Sequence, residues 1–184
     1  ANGQEPGDIK VQDVDGNGVI TTDDRIIYSQ RPDVTFGFNN TFNYKGFDLS
    51  VFLYARLGQW IAYDYNTTYR INALENGGNV DYWTPETPTN AFPRPNKSKS
   101  YTQVTYYSTL KYEDGSFFKI RDITLGYTFK PELLKHLNLS RLRVYATAKN
   151  FFTFSKIDNY DPEQGGSISF PMTKQLVFGL NVEF

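Results

Sequence analysis

The chain lacks cysteine altogether and has one histidine (His136) and one methionine (Met172) in 184 residues. Without thiols there is no disulfide framework, no thiolate metal site and no cysteine nucleophile. A lone histidine excludes His-rich metal centres and most His-based triads. Neither sign of charge is in excess: 19 Lys+Arg stand against 20 Asp+Glu, a formal net charge of −1. That balance leaves no basic nucleic-acid footprint and no acidic disordered tail. No run of about 18 apolar residues occurs, so a helical membrane span is not expected. The first residues lack the charged-then-apolar layout of a signal peptide, as expected of a mature protein or of a piece of a longer one.

What is present in excess is aromatic. Fifteen Phe, 14 Tyr and 2 Trp make 17% of a chain whose mean hydropathy is −0.52. Residues 1–32 are rich in Gly, Asp and Asn and read as loop. From residue 33 a period of two begins. Phe36, Phe38, Phe42 and Tyr44 share one face, with Asn40 the exception, and Thr35, Gly37, Asn39, Thr41 and Asn43 share the other. Lys45-Gly46 is a hairpin turn, and Phe47, Leu49, Val51, Leu53, Ala55 and Leu57 continue the apolar row on a second strand.

Three more strands follow the same rule. Ile123, Leu125, Tyr127 and Phe129 alternate with Asp122, Thr124, Gly126 and Thr128. Leu142, Val144, Ala146 and Ala148 alternate with Arg141, Arg143, Tyr145, Thr147 and Lys149. Leu176, Phe178, Leu180, Val182 and Phe184 alternate with Gln175, Val177, Gly179, Asn181 and Glu183. Between them, a proline-rich interval at about residues 60–115 and another at 155–172 break the pattern. The aromatics Tyr63, Tyr65, Tyr69, Tyr82, Trp83 and Phe92 argue for order in the first of these. Pro131-Glu132-Leu133-Leu134 predicts a helical turn with proline near its start.

The predicted strands run to roughly 10 to 13 residues, longer than the 5 or 6 usual in soluble sheets and long enough to cross a bilayer when tilted. One rim of tight turns and one of long loops is the pattern of an outer-membrane barrel. The fold class expected is therefore all-β: an antiparallel transmembrane β-barrel segment with long loops at residues 60–115 and 155–172. Five strands do not close a membrane barrel, so they are expected to be part of a larger one. The alternative is a soluble calcium-dependent β-sandwich that serves as a binding module.

Asp13-Val14-Asp15-Gly16-Asn17-Gly18-Val19-Ile20-Thr21-Thr22-Asp23-Asp24 fits a twelve-residue calcium loop. Asp13, Asp15 and Asn17 set hard oxygens at alternate positions. Gly18 allows the sharp turn, Val19 offers its carbonyl, and Asp24 closes the loop. Ile20 is expected to anchor it. The segment ahead of the loop is extended rather than helical, so a structural Ca²⁺ site is expected rather than an EF-hand switch. Elsewhere chemistry is sparse. Asp161 and Glu163 flank Pro162 without a nearby nucleophile or histidine, and a loop-ordering role is expected for them. Lys119, Arg121 and Asp122 are candidates for ion pairs, solvated or between strands. Arg94, Lys97 and Lys99 form a small basic cluster suited to solvation or partner contact, and Asn66-Thr67-Thr68 matches a glycosylation sequon. No enzyme is expected, because no nucleophile–base set appears.

Several segments, in order, resemble one family. They are Gly7-Asp8-Ile9-Lys10 with the loop just described, Tyr44-Lys45-Gly46-Phe47-Asp48-Leu49-Ser50, and Tyr82-Trp83-Thr84-Pro85-Glu86. Pro93-Arg94, Asp114-Gly115-Ser116-Phe117 and Ile123-Thr124-Leu125-Gly126-Tyr127 follow. Asn150-Phe151-Phe152-Thr153-Phe154, Tyr160-Asp161-Pro162-Glu163 and the last residue, Phe184, complete the set. Together they resemble the C-terminal part of SusC/RagA-type TonB-dependent outer-membrane transporters.

The resemblance implies a plugged barrel of about 22 strands in the outer membrane of a Gram-negative bacterium. It implies a SusD-like surface lipoprotein as cap, and energy from TonB through a part not in this chain. Outer-membrane lipid and the remainder of the barrel are further implied partners, and imported glycans or peptides are the implied nutrients; no nucleic acid is involved. It also places residues 1–32, with the loop at 13–24, and both long loops outside the cell, and the short turns in the periplasm. Tyr44, Phe47, Tyr127 and Phe129 would then belong to the periplasmic aromatic girdle, with Phe184 resembling a barrel-assembly signal.

Overall fold

The computed structural model describes residues 5–66, 81–94 and 108–184. Five long strands follow the alternation: β1 (Val34–Tyr44), β2 (Phe47–Leu57), β5 (Phe117–Thr128), β6 (Arg141–Ser155) and β7 (Gln175–Glu183). They form one antiparallel sheet in the order β1-β2-β5-β6-β7. The β1–β2 turn uses Lys45 at φ 48° and Gly46 at φ 91°, the left-handed pair that matches the twist of a two-residue hairpin. Between β5 and β6 the chain turns through one helical turn, Pro131–Leu134, and a 3-10 turn, Lys135–Leu137, in which His136 is exposed. These compact turns share one end of the sheet, and the long connections lie at the other.

The interval at 60–115 holds two strands that its irregular pattern conceals. Strands β3 (Trp60–Ala62) and β4 (Tyr112–Asp114) pair as a separate small sheet beyond β2 and β5. Ile61, Tyr63 and Ile157 form a buried cluster there, packed by Tyr65, Tyr160 and Ile168, so the two long connections share one core. Tyr28 meets Trp60 at a tilt (4.6 Å) and stacks on Tyr112 (5.2 Å), tying the N-terminal loop to the same unit. Asn66 is buried, and its side-chain amide donates to the Leu110 carbonyl (3.2 Å) and to Glu113 (2.6 Å), which gives the sequon's asparagine a structural role. Thr67, Thr68 and Tyr69 lie outside the described residues.

The apolar rows of all five strands fall in register: Phe42 opposite Leu49, Leu49 opposite Leu125, Leu125 opposite Ala146, Ala146 opposite Phe178. Nothing among the described residues packs over this face as a second sheet. Phe42, Leu125, Phe178 and Leu180 remain 61, 52, 78 and 69% exposed. A sandwich needs that face dry and covered. On the sheet's other face, Lys119 and Thr147 are buried. Burial is thus inverted relative to a water-soluble sheet, as in a barrel wall with lipid outside and polar groups inside. No helix among the described residues is long and apolar enough to cross a membrane; crossing by strands is a separate matter.

One irregularity redirects the inner face. Phe52 pairs with Asp122 but Leu53 pairs with Ile120, so Arg121 is an extra residue in β5 relative to β2. Alternation carried back from Ile123 would send Arg121, Lys119 and Phe117 to the apolar face. The bulge instead sets Ile120 and Phe118 in the apolar row, opposite Leu53 and Ala55, and puts Lys119 and Phe117 opposite Tyr54 and Arg56 in the polar row. Aromatics thereby band both ends of the apolar face. Tyr44, Phe47, Tyr127 and Phe129 lie at the short-turn end, with Phe47–Tyr127 4.6 Å and Tyr127–Phe129 5.0 Å apart. Phe36, Phe118 and Phe154 lie at the other, with Phe118–Phe154 6.1 Å apart.

Candidate functional site on the polar face

The polar row of the sheet carries charges in pairs. Arg143 on β6 reaches over β5 to Asp48 on β2 with two bonds, Nε–Oδ1 2.8 Å and Nη2–Oδ2 2.6 Å. The pair lies above Gly126, where an added Cβ would come within 2.5 Å of both groups. Lys149 stands 3.7 Å from Asp122, Arg141 stands 3.3 Å from Glu183, and the hydroxyls of Thr124 and Thr147 share a hydrogen bond of 2.9 Å.

Near the long-loop end, residues 156–174 fold back onto this face and bring two carboxylates with them. Asp161 accepts from the Glu163 amide (3.0 Å) and so caps the short turn Pro162–Gln164. Its second oxygen accepts from Lys119 Nζ at 2.7 Å and from Thr153 Oγ1 at 3.4 Å. Glu163 accepts from Lys119 Nζ at 2.7 Å with one oxygen and lies 3.1 Å from Arg121 with the other. The Lys119 side chain is 0% exposed. The loop-ordering role expected for Asp161 and Glu163 is what the geometry displays, but its partner is a buried lysine 42 and 44 residues away in sequence. The local Asp-Pro-Glu motif signals the turn and gives no hint of that lysine.

At the N-terminal loop, the structure brings Asp13, Asp15 and Asp24 together, with one carboxylate oxygen of each within 4.8 Å of the others. Asp13 accepts from the amides of Gly16 and Gly18, both at 2.7 Å, and Gly18 holds φ 81°, as the turn requires. Asn17 donates to Asp15 (2.7 Å) and accepts from the Val19 amide (2.7 Å), so its side chain faces the loop's own groups. Asp24 accepts from the amides of Thr21 (2.6 Å) and Val14 (2.7 Å), and those two N–H groups hold its carboxyl below the ordinary carboxylate range. Ile20, expected as an anchor, is 48% exposed; the loop is held by hydrogen bonds instead.

The basic cluster resolves differently from its local appearance. Arg94 pairs with Glu5 and with Asp8 (Nε–Oδ1 3.1 Å), and its amide donates to the Gly7 carbonyl at 2.9 Å. It therefore staples the N-terminal segment to the stretch around Trp83 and Phe92. Lys97 and Lys99 lie outside the described residues.

No family model matches the chain. It is 30% identical over 203 residues to TonB-dependent receptor P3 of Formosa agariphila, covering 98% of this chain and 19% of that relative. It is 31% identical over 181 residues to the TonB-dependent receptor SusC of Bacteroides thetaiotaomicron, covering 94% of this chain and 17% of that one. A solved structure of the RagAB peptide transporter superposes with a TM-score of 0.70 at 26% identity, over 87% of this chain and 18% of that one. The RagAB peptide importer in its closed-closed state gives 0.70 at 26% identity, over 90% and 19%. The chain thus spans about a fifth of the length of the curated relatives it matches.

Proposed function

We infer that this chain is a segment of a SusC/RagA-type TonB-dependent outer-membrane transporter, similar to such receptors over nearly its whole length and consistent with their C-terminal part. Its five strands contribute one arc of the barrel wall. The supporting observation is the inverted sheet: an uncovered apolar face banded by aromatics, and a polar face of paired charges. The outer edges of β1 and β7 would pair with the remainder of the barrel, because hydrocarbon does not satisfy free backbone groups. The short turns then face the periplasm and the long loops the exterior. The whole transporter takes glycans or peptides from a SusD-like surface lipoprotein and draws energy from TonB through a part outside this chain.

Orientation is directly testable. In the full-length protein, Ser169→Cys in the long loop should react with a membrane-impermeant maleimide on intact cells. Glu132→Cys in the short turn should react only after the outer membrane is permeabilised. The reverse pattern, or recovery of both from the soluble fraction, would sink the importer reading.

The loop at 13–24 fits a structural Ca²⁺. Asp13, Asp15 and Asp24 would hold the ion, with Asn17 and the Val19 carbonyl as the remaining expected ligands; a set of hard oxygens suits this cation. Amide exchange in 13–24 should slow on adding Ca²⁺, and Asp15→Ala should abolish the slowing without affecting the strands. The Asp24 carboxyl is held low, so its contribution to loop order is complete above the ordinary value of 3.8 and is lost as pH falls through the depressed one. Protection in 13–24, taken relative to the intrinsic exchange rate at each pH, should therefore fall in acid even without metal. An exchange rate indifferent to Ca²⁺ at neutral pH would remove the metal assignment and leave the acid effect standing.

A further inference from the structure

We propose that Arg56 is an anion-binding residue on the inner wall, holding the end of its guanidinium ready for a carboxylate. The proposal rests on the barrel reading above, which makes this face the lumen. It follows from the charges near the long-loop end. Three cations gather there, Arg56, Lys119 and Arg121, but only two carboxylates reach them. Asp161 and Glu163 both bind Lys119, and the second oxygen of Glu163 goes to Arg121. Asp114 and Asp122 are paired with Lys156 and Lys149, and Asp33, which lies beside Gly58 two residues from Arg56, makes no ion pair with it among the described residues. Among the described residues Arg56 has no carboxylate partner, whereas Arg141, Arg143, Lys149, Lys119 and Arg121 on the same face each have one.

Arg56 is half-buried, and a guanidinium drawn partly out of water without an anion is an unfavourable arrangement that a ligand corrects. It is also held in place. Its Nε donates to the Tyr54 hydroxyl at 2.8 Å, and its Cζ lies 5.5 Å from the Tyr54 ring centre and 6.0 Å from that of Phe117. Tyr54 is fixed in turn by Phe117 at 5.8 Å and by Arg121, whose Cζ lies 5.2 Å from its ring. With Nε engaged, the two terminal nitrogens remain, and they form the fork that matches a carboxylate with two parallel bonds. That carboxylate comes either from acidic cargo in the lumen or from an Asp or Glu in the remainder of the receptor.

Two arms separate these sources in the assembled full-length receptor, comparing wild type, Arg56→Gln and Arg56→Lys. If the receptor supplies the carboxylate, Arg56→Gln lowers the melting temperature without any ligand by more at low salt than at high salt, because an ion pair is screened and the Tyr54 and Phe117 contacts are not, and Arg56→Lys recovers the salt-dependent part. If cargo supplies it, no salt-dependent loss of melting temperature is seen, and calorimetry with a glutamate-containing oligopeptide and its glutamine counterpart gives the signature. Wild type then prefers the acidic peptide by about tenfold to a hundredfold, the range for a charge-assisted hydrogen bond. Arg56→Gln loses that preference and Arg56→Lys keeps some of it. The absence of a salt-dependent loss together with no preference for the acidic peptide in wild type overturns the proposal. Failure of the receptor to reach the outer membrane would overturn the importer reading instead.

Discussion

Replacing Lys119 by Met is expected to destabilise the long-loop end of the wall by about 3–5 kcal/mol, the range for breaking a buried ion pair by removing one partner. The size follows from the environment. Lys119 has no exposed surface, and Asp161 and Glu163 retain only 12 and 10% of theirs. Without the ammonium, the two carboxylates keep only Arg121, the Thr153 hydroxyl and the Glu163 amide as partners. The loop at 156–174 should then detach from the sheet while the β2–β5–β6 pairing survives, since the strands are held by their own backbone bonds. Hydrogen exchange should rise across 156–174 and in the Ile61–Tyr63–Ile157 cluster that the loop shares, with little change at 47–53. Adding Asp161→Asn and Glu163→Gln to Lys119→Met should recover much of the loss, because the orphaned charges vanish with their partner. Unchanged exchange in 156–174 would show that the clamp is not what holds the loop.

The second large effect lies on the opposite face. Val51 sits midway along β2, between the aromatic band at Phe47 and Tyr127 and the one at Phe118 and Phe154. Val51→Arg should cost about 2–4 kcal/mol, the range for a charge at the lipid midplane of a barrel. Thr41→Arg, on the polar face of β1 opposite Ser50, should cost far less, because there the guanidinium meets water or polar neighbours. Urea unfolding of the full-length protein in lipid vesicles compares the two. Equal costs would contradict the assignment of faces; a larger cost for Thr41→Arg would reverse it.

Much of this was legible in the residues themselves. Period-two alternation is written into each strand separately, and every side chain on a pleat goes to one face or the other whatever its partner. Phe36, Phe38, Phe42 and Tyr44 therefore show their common face without reference to β2. The Lys45-Gly46 turn and the Asp13, Asp15 and Asp24 spacing are likewise local, complete within two and twelve residues. The whole-chain resemblance added the barrel, which five strands do not define alone.

What only the tertiary structure decided is which groups meet across the sheet and beyond it. The extra residue at Arg121 exists only relative to β2, so no periodicity within β5 announces it, yet it determines that Lys119 turns inward rather than toward lipid. Strands β3 and β4 are three residues each, too short for alternation to register, and they form because β2 and β5 hold their ends together. Lys119 finds Asp161 and Glu163, and Arg56 finds none, through register and loop closure. Local pattern assigns a side chain to a face; its partner on that face depends on strand pairing and on loops returning from far along the chain, and these are properties of the folded whole.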